Sequence, residues 1–432
     1  MNRPPGTLIH SRERMAWTAV LLSFTLFCVI AIATPLLMRV YVQNSTQPLA
    51  IDVQANEGTV GINESEALPR AALSSELPQS VTPDAMILTD ATASGLLLIS
   101  LPKTDELLAR VQLYSATIVQ LQTASMPRFQ LSGQPYLLAL HLTSGRIRLV
   151  VGEDGGRPLA VTVTTPHSQI TINHPGEYAL DVNNDETQVT VQQGQLEVTA
   201  QGESLHLHPA ERAEIALNAA PNGPLTPERN LIENGSFGER WAKWQQYAWE
   251  VELSDQPAGD IQIVDIVGEA GLRVARAGEG HADVGIRQII NQDVTDFDSL
   301  LLEVDLRILG QTLAVCGNVG SECPVILRLE YDDVNGSAQV WQRGFYAIGD
   351  VNPDTTPDVC LTCPPPRLEH VKVAPGQFSF YQSDLIEDLQ LHGFLPPRRI
   401  KNISIVASGH GFEIELLDVA LIAGEAMSTN AP

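Results

Sequence analysis

The chain has 432 residues, enough for two or three domains of ordinary size, and 44% of them are hydrophobic, a globular rather than a disordered balance. Its 26 Lys and Arg stand against 51 Asp and Glu, a formal charge of −25. That field repels phosphate backbones and excludes nucleic acid as a partner, while favouring solubility. Residues 16–38, AWTAVLLSFTLFCVIAIATPLLM, carry no charge. About 20 helical residues cross a hydrocarbon core, so this stretch is long enough to span a membrane. Arg3, Arg12 and Arg14 precede it, with only Glu13 opposing, and Arg39 stands alone after it. The positive-inside bias therefore predicts residues 1–15 in the cytoplasm and the bulk of the chain outside the cell membrane. Ala31-Ile32-Ala33 also has the small-x-small pattern of a signal-peptidase site, but the apolar run continues through Leu36-Leu37-Met38, longer than a signal h-region. An anchor is the expectation.

Beyond a short polar linker at residues 43–49, residues 50–217 show short apolar alternations broken by Gly, Pro, Asn and Asp, the pattern of an all-β sandwich or roll. A motif recurs as Gly58-Thr59-Val60-Gly61-Ile62, Gly145-Arg146-Ile147-Arg148-Leu149 and Gly194-Gln195-Leu196-Glu197-Val198. In each, glycine lets the chain turn, and next-but-one residues face the same side of a new strand. These runs, with MILTDATASGLLLI at 86–99, LTSGRIRLVV at 142–151, TTPHSQITINHPGEYALDV at 164–182 and SLHLHPAERAEI at 204–215, follow one another in the order of the FecR-like domain family, which the region resembles. The resemblance implies an all-β sensing or scaffolding module with no catalytic residues. Family members that regulate transcription carry a cytoplasmic helical segment for a sigma factor. Fifteen residues containing Pro4-Pro5-Gly6 cannot bury a helical core, so that activity is not carried over. His206 and His208 share a strand face, a geometry metals can use, but no third ligand at suitable spacing is visible. A solvated face is expected there.

Pro221-Asn222-Gly223-Pro224 and Thr226-Pro227 read as a second linker that permits neither strand nor helix. Residues 226–424 then open with Asn230-Leu231-Ile232-Glu233-Asn234-Gly235-Ser236-Phe237, followed by Trp241 and Trp244, and close with FEIELLDVALI at 412–422. Both ends resemble jelly-roll modules of the carbohydrate-binding, galactose-binding-like superfamily, which implies a β-sandwich. Leu300, Leu302, Val304, Leu306 and Ile308 alternate with polar residues as a one-face-buried strand, as do Val325, Leu327, Leu329 and Tyr331, and Val334-Asn335-Gly336-Ser337 supplies hairpin-turn chemistry. The fold class expected for the whole chain is mainly β: a transmembrane helix, a FecR-like domain and a jelly roll.

Four tryptophans, Trp241, Trp244, Trp249 and Trp341, are the candidate ligand-binding residues, since sugar sites use an exposed indole beside polar groups; core packing is the competing role for each. Asp332, Asp333 and Asn335 offer too few oxygens for calcium. Cys316, Cys323, Cys360 and Cys363 are disulfide candidates, as export disfavours free thiolates, and their spacing is unlike a zinc ribbon. A bridge closing about 40 residues would stabilise by roughly 4 kcal/mol against about 2.5 for a local one, which favours crossed pairs, with three pairings open. No metal and no cofactor is expected. The chain lacks GxSxG, HExxH, GxxxxGK[ST] and GxGxxG. The sequence therefore points to a non-enzymatic, single-pass envelope protein. Its partner is the membrane on one side and an envelope glycan or protein on the other; transmembrane signalling is an alternative.

Overall fold

The computed structural model describes residues 7–63, 71–73, 78–104, 106–152, 156–314, 316, 323–350, 359 and 364–425. The chain begins with a helix, Thr7–Asn44, whose 38 residues extend about 57 Å at about 1.5 Å each. Its apolar side chains are uncovered: Trp17, Leu22 and Leu37 are each about two-thirds exposed. A helix apolar on all sides has no soluble face to present to water. Three of its hydroxyls bond back onto the helix. Thr18 Oγ1 donates to the Arg14 carbonyl at 3.0 Å, Ser23 Oγ to Ala19 at 2.8 Å and Thr25 Oγ1 to Leu21 at 2.7 Å, so these three need no partner from a hydrocarbon surrounding. From Arg14 to Asn44 the helix is long and apolar enough to cross a membrane.

The polar stretch after residue 43 is not the loose linker the sequence predicts. The helix runs on to Asn44, and strand Thr46–Pro48 pairs directly with Ser125, Met126 and Pro127. Peptide groups there find a sheet edge within reach, which outweighs the turn preference of Asn-Ser-Thr.

Strands from Thr46 to Leu225 pair only among themselves and form two curled sheets that close on one another. Alternating aliphatic residues supply the core between them, including Ile51, Val53, Leu97, Ile99, Val111, Leu140, Ile147, Val163, Leu180, Val189 and Ile215. The hinge of this body is strand Tyr136–Val151. Its first half pairs with Ile118–Pro127 and Leu159–Thr164 in one sheet, and its second half with Leu107–Leu113 and Gly176–Val182 in the other. Gly145 marks the switch. Its φ is +91°, and a Cβ there would lie 2.4 Å from Thr117 Cα, so only glycine fits both the backbone and the space. Gly58 and Gly194, the other two glycines of the recurring motif, also have positive φ, and Val60, Ile62, Leu196 and Val198 are buried beyond them.

The second predicted linker is also structured. Asn222–Leu225 is a short strand on Glu211–Ala216, with Arg212 opposite Leu225 and Glu214 opposite Asn222. Proline is admissible there because an edge strand has an N–H side that needs no partner.

Strands from Arg229 to Glu425 form a second body, folded into two layers by two long bent strands, Glu269–Asp293 and Pro397–Glu425. The early part of Pro397–Glu425 lies between Glu269–Asp293 and Cys323–Asp333; its later part lies between Glu269–Asp293 and Phe297–Gln311. The predicted alternation is realised: Leu300, Leu302, Val304, Leu306 and Ile308 are buried, as are Val325, Leu327, Leu329 and Tyr331. The hairpin turns at Gly336, φ +78°. A seven-residue helix, Leu385–Leu391, capped by the Asp384 carboxylate, was not legible in the sequence.

The two bodies meet through buried charge. Arg146, 2% exposed, donates from Nε to both oxygens of Asp296 at 2.9 and 3.0 Å and from Nη2 to Glu425 Oε1 at 2.8 Å. Its Nη1 lies 3.5 Å from Asp181 Oδ2, which also accepts from Arg229 Nη2 at 3.1 Å and Gln292 Nε2 at 2.8 Å. Both guanidinium groups lie over the Phe297 ring, at 4.7 and 5.0 Å. Nearby, Arg399 Nη2 donates to Ser115 Oγ at 2.6 Å, and Ser115 in turn bonds the Asp293 carboxylate.

Candidate functional site

In the layer made by Gln245–Trp249, Glu269–Asp293, Pro397–Glu425, Cys323–Asp333 and Ala338–Tyr346, in that order across the sheet, every second residue turns away from the core. The register aligns those outward residues in rows crossing the strands. One row is Tyr247, Gly285, Val406, Ile326 and Gly344. On one side of it runs Gln245, Arg287, Ser404, Arg328 and Gln342, and on the other Trp249, Asp283, Ser408 and Cys323. Two glycines and two aliphatic residues make the middle row low, while arginines and aromatic rings raise its borders. Gly285, Val406 and Gly344 are themselves buried beneath the longer side chains beside them, so the resulting furrow is a line of short residues across the sheet and not an open cavity.

Hydrogen bonds hold the borders in place. Arg287 Nε donates to Ser404 Oγ at 3.2 Å, with its guanidinium 5.4 Å from the Tyr247 ring centre; Arg328 Nε donates to Gln342 Oε1 at 3.3 Å; Asn402 Nδ2 donates to Glu330 Oε2 at 2.9 Å. Burial raises the Tyr247 phenol above its usual range, against the pull of Ser404 and Arg287, so its hydroxyl stays protonated at neutral pH. Tyr247 and Trp249 form an aromatic edge at one end, ring centres 5.9 Å apart and nearly perpendicular. Trp249 is 41% exposed, and its Nε1 is fixed by Asp283 Oδ2 at 3.0 Å. At the other end stand the Cys316–Cys323 disulfide, Pro366, Leu368 and His370 around a small pocket. Gly344 makes room for them: a Cβ would lie 2.8 Å from His370 Cδ2 and 3.0 Å from Cys323 Sγ.

The four tryptophans are not brought together. Trp341 is fully buried; Trp244 is 5% exposed, donating to the Asn234 carbonyl at 3.0 Å and packed on Phe237; Trp241 is half-buried against the same core. Trp249 alone among them lines the furrow. Tyr247, Arg287, Arg328, Gln342 and Asn402 escape sequence reasoning because they converge from five strands up to 155 positions apart, counting from Tyr247 to Asn402. The only local signal is that the polar halves of these alternations contain long, hydrogen-bonding side chains.

Cys316 and Cys323 pair with each other, not across the hairpin. Cys316 and Cys323 are bonded with their Cα atoms 4.8 Å apart. Loop-closure entropy sets how much a bridge stabilises, whereas which sulfurs meet is set by where the strand start at Cys323 lies. Cys360 and Cys363 lie outside the described residues.

Apart from Cys316, Cys323 and His370, whose two sulfurs are bonded to each other, one cluster among the described residues has metal-ligand spacing. Glu250, His281 and Asp283 bring their ligand atoms within 4.8 Å of one another beside Trp249. His281 Nε2 is 3.2 Å from Asp283 Oδ1. The hydrogen bond to that carboxylate raises the imidazole pKa above its ordinary value, so a cation would compete with a proton there. His206 and His208 share a hollow with His174 and Glu197, two partners that the linear spacing does not reveal. Cross-strand pairing places Glu197 opposite His206. By contrast, Asp333 Oδ1 accepts the amides of Asn335 and Ser337, both at 2.9 Å, and Asp332 pairs with Lys401 at 2.6 Å, so the hairpin carboxylates are committed within the protein.

No protein-family model matches the chain, and no curated protein does. Among solved structures, it is similar to a candidate anti-sigma factor from Parabacteroides distasonis, at 15% identity and a TM-score of 0.24, over 33% of this chain and 60% of that one. The family 11 carbohydrate-binding module from Clostridium thermocellum aligns at 12% identity and a TM-score of 0.25, over 46% of this chain and 96% of that module. TmCBM61, solved in complex with β-1,4-galactotriose, aligns at 11% identity and a TM-score of 0.26, over 46% of this chain and 99% of that one. Likeness at this level assigns neither family nor function.

Proposed function

We propose that this chain is a non-enzymatic, single-pass membrane protein whose bulk lies outside the cytoplasm and whose second body binds an envelope glycan along the Tyr247–Gly344 furrow. The first body serves as the platform that carries it. One observation supports the glycan reading above all. An exposed, hydrogen-bond-fixed indole and a protonated phenol stand together at the end of a row of short side chains, beside the partly exposed guanidinium groups of Arg287 and Arg328. Sugar rings offer apolar faces to such rings and hydroxyls to such polar rows.

Titrating the full chain with a broad polysaccharide panel should give saturable quenching of tryptophan fluorescence by at least one polymer. Trp249→Ala should then weaken that binding by about 30-fold, on the scale of an interface anchor of about 2 kcal/mol. Trp241→Phe should leave it unchanged. Equal affinity for wild type and Trp249→Ala, measured by calorimetry, would rule the furrow out as the binding surface.

A further inference from the structure

The N-terminal helix does not end freely. Tyr41 packs on Phe129 with ring centres 5.8 Å apart, Ser132 Oγ donates to the Gln43 carbonyl at 3.0 Å, and the Arg128 amide donates to the Ser45 carbonyl at 2.9 Å. The loop at residues 129–133 is therefore docked on the last turn of the helix. It is also braced from behind: Arg157 bonds the carbonyls of Gln130, at 3.2 Å, and Gln134, and lies over the Tyr136 ring. Ser132 is buried, yet its neighbour Leu131 is 89% exposed, an aliphatic side chain held outward by a fixed loop.

Height along the helix says what meets it. The uncharged run ends at Met38, and Gln43 lies five residues further, about 7.5 Å along the axis. The headgroup layer into which interfacial segments sink their apolar side chains lies within about 5–10 Å of the acyl boundary. Tyr41 sits where interfacial aromatic residues collect. We propose that residues 129–133 rest in the outer headgroup layer, with Leu131 inserted toward the acyl chains, so that the first body is seated on the bilayer instead of swinging from a tether. This inference rests on the membrane-anchor reading above.

The test uses the full chain in zwitterionic phospholipid nanodiscs. Single cysteines carrying an environment-sensitive fluorophore are placed at Leu131, at Val29 in the helix and at the exposed Ser337 in the second body's hairpin, in a Cys28→Ala background whose residual labelling is subtracted. L131C should show blue-shifted emission and loss of intensity with lipids bearing a shallow nitroxide. V29C should be quenched by a deep nitroxide, and S337C should stay water-like. Water-like emission from L131C with V29C protected overturns the seat and leaves the anchor standing. Water-like emission from both overturns the anchor and the seat together.

Discussion

Arg146→Ala is expected to destabilise the chain by about 3–5 kcal/mol, the range for removing one partner from a buried ion pair. The substitution leaves Asp296 and Glu425 without their shared cation at the junction of the two bodies, where Arg146 and Asp296 are each 3% exposed in their side chains and Glu425 is 1%. For a body of about 200 residues this corresponds to a fall in melting temperature of about 6–20 °C. Since Arg146 belongs to one body and both orphaned acids to the other, calorimetry should also show one transition becoming two. Replacing Arg146, Asp296 and Glu425 together by Met, Leu and Leu should recover much of the loss, because an apolar junction leaves no charge to desolvate. The same cluster sets an acid limit. Burial works against the Asp181 charge, but Arg229 and Arg146 outweigh it and hold its pKa below the ordinary carboxylate value. A folded pKa below the unfolded one gives stability that is full above about pH 3.9 and is lost as pH falls through the folded value. A wild-type chain that melts as two independent units, or an Arg146→Ala variant as stable as wild type, would show that the junction is only a contact.

Gly145→Val is the second substitution of large effect. A β-branched residue is strained at φ +91°, and its Cβ would stand 2.4 Å from Thr117 Cα and 2.8 Å from the Ala116 carbonyl. Backbone strain of about 1–3 kcal/mol and overpacking of about 1–3 kcal/mol act together at the point where one strand passes between two sheets. Gly202 supplies the control: its φ is +81°, and a Cβ there would meet nothing within 4 Å. Gly202→Val should therefore lose only the strain contribution, and urea titration should separate the two variants by about 1–3 kcal/mol. Equal losses would mean that the corner yields.

Much of the architecture was legible in local pattern. The uncharged run at 16–38 is a helix, the alternation from Leu300 to Ile308 is a strand with one buried face, and the glycine-led motif turns where its glycines stand. What stayed hidden has a common cause, the action of distant parts of the chain. Arg146 and Arg148 alternate with buried Ile147 and Leu149 and read as a wet face, yet Arg146 is buried because the second body covers it. The segments after residue 43 and around Pro224 carry turn chemistry, yet each finds a sheet edge to join. The furrow is the extreme case, since cross-strand register, which no local spacing encodes, places Tyr247 beside Gly285 and Val406.

Glycan recognition by that furrow is tested most directly by hydroxyl-radical footprinting of the full chain with the polysaccharide that quenches its fluorescence. Protection is predicted at Tyr247, Trp249 and Ile326, with Trp241 and Leu131 unchanged. Protection confined to other surfaces, or a panel from which no polysaccharide binds, would contradict it.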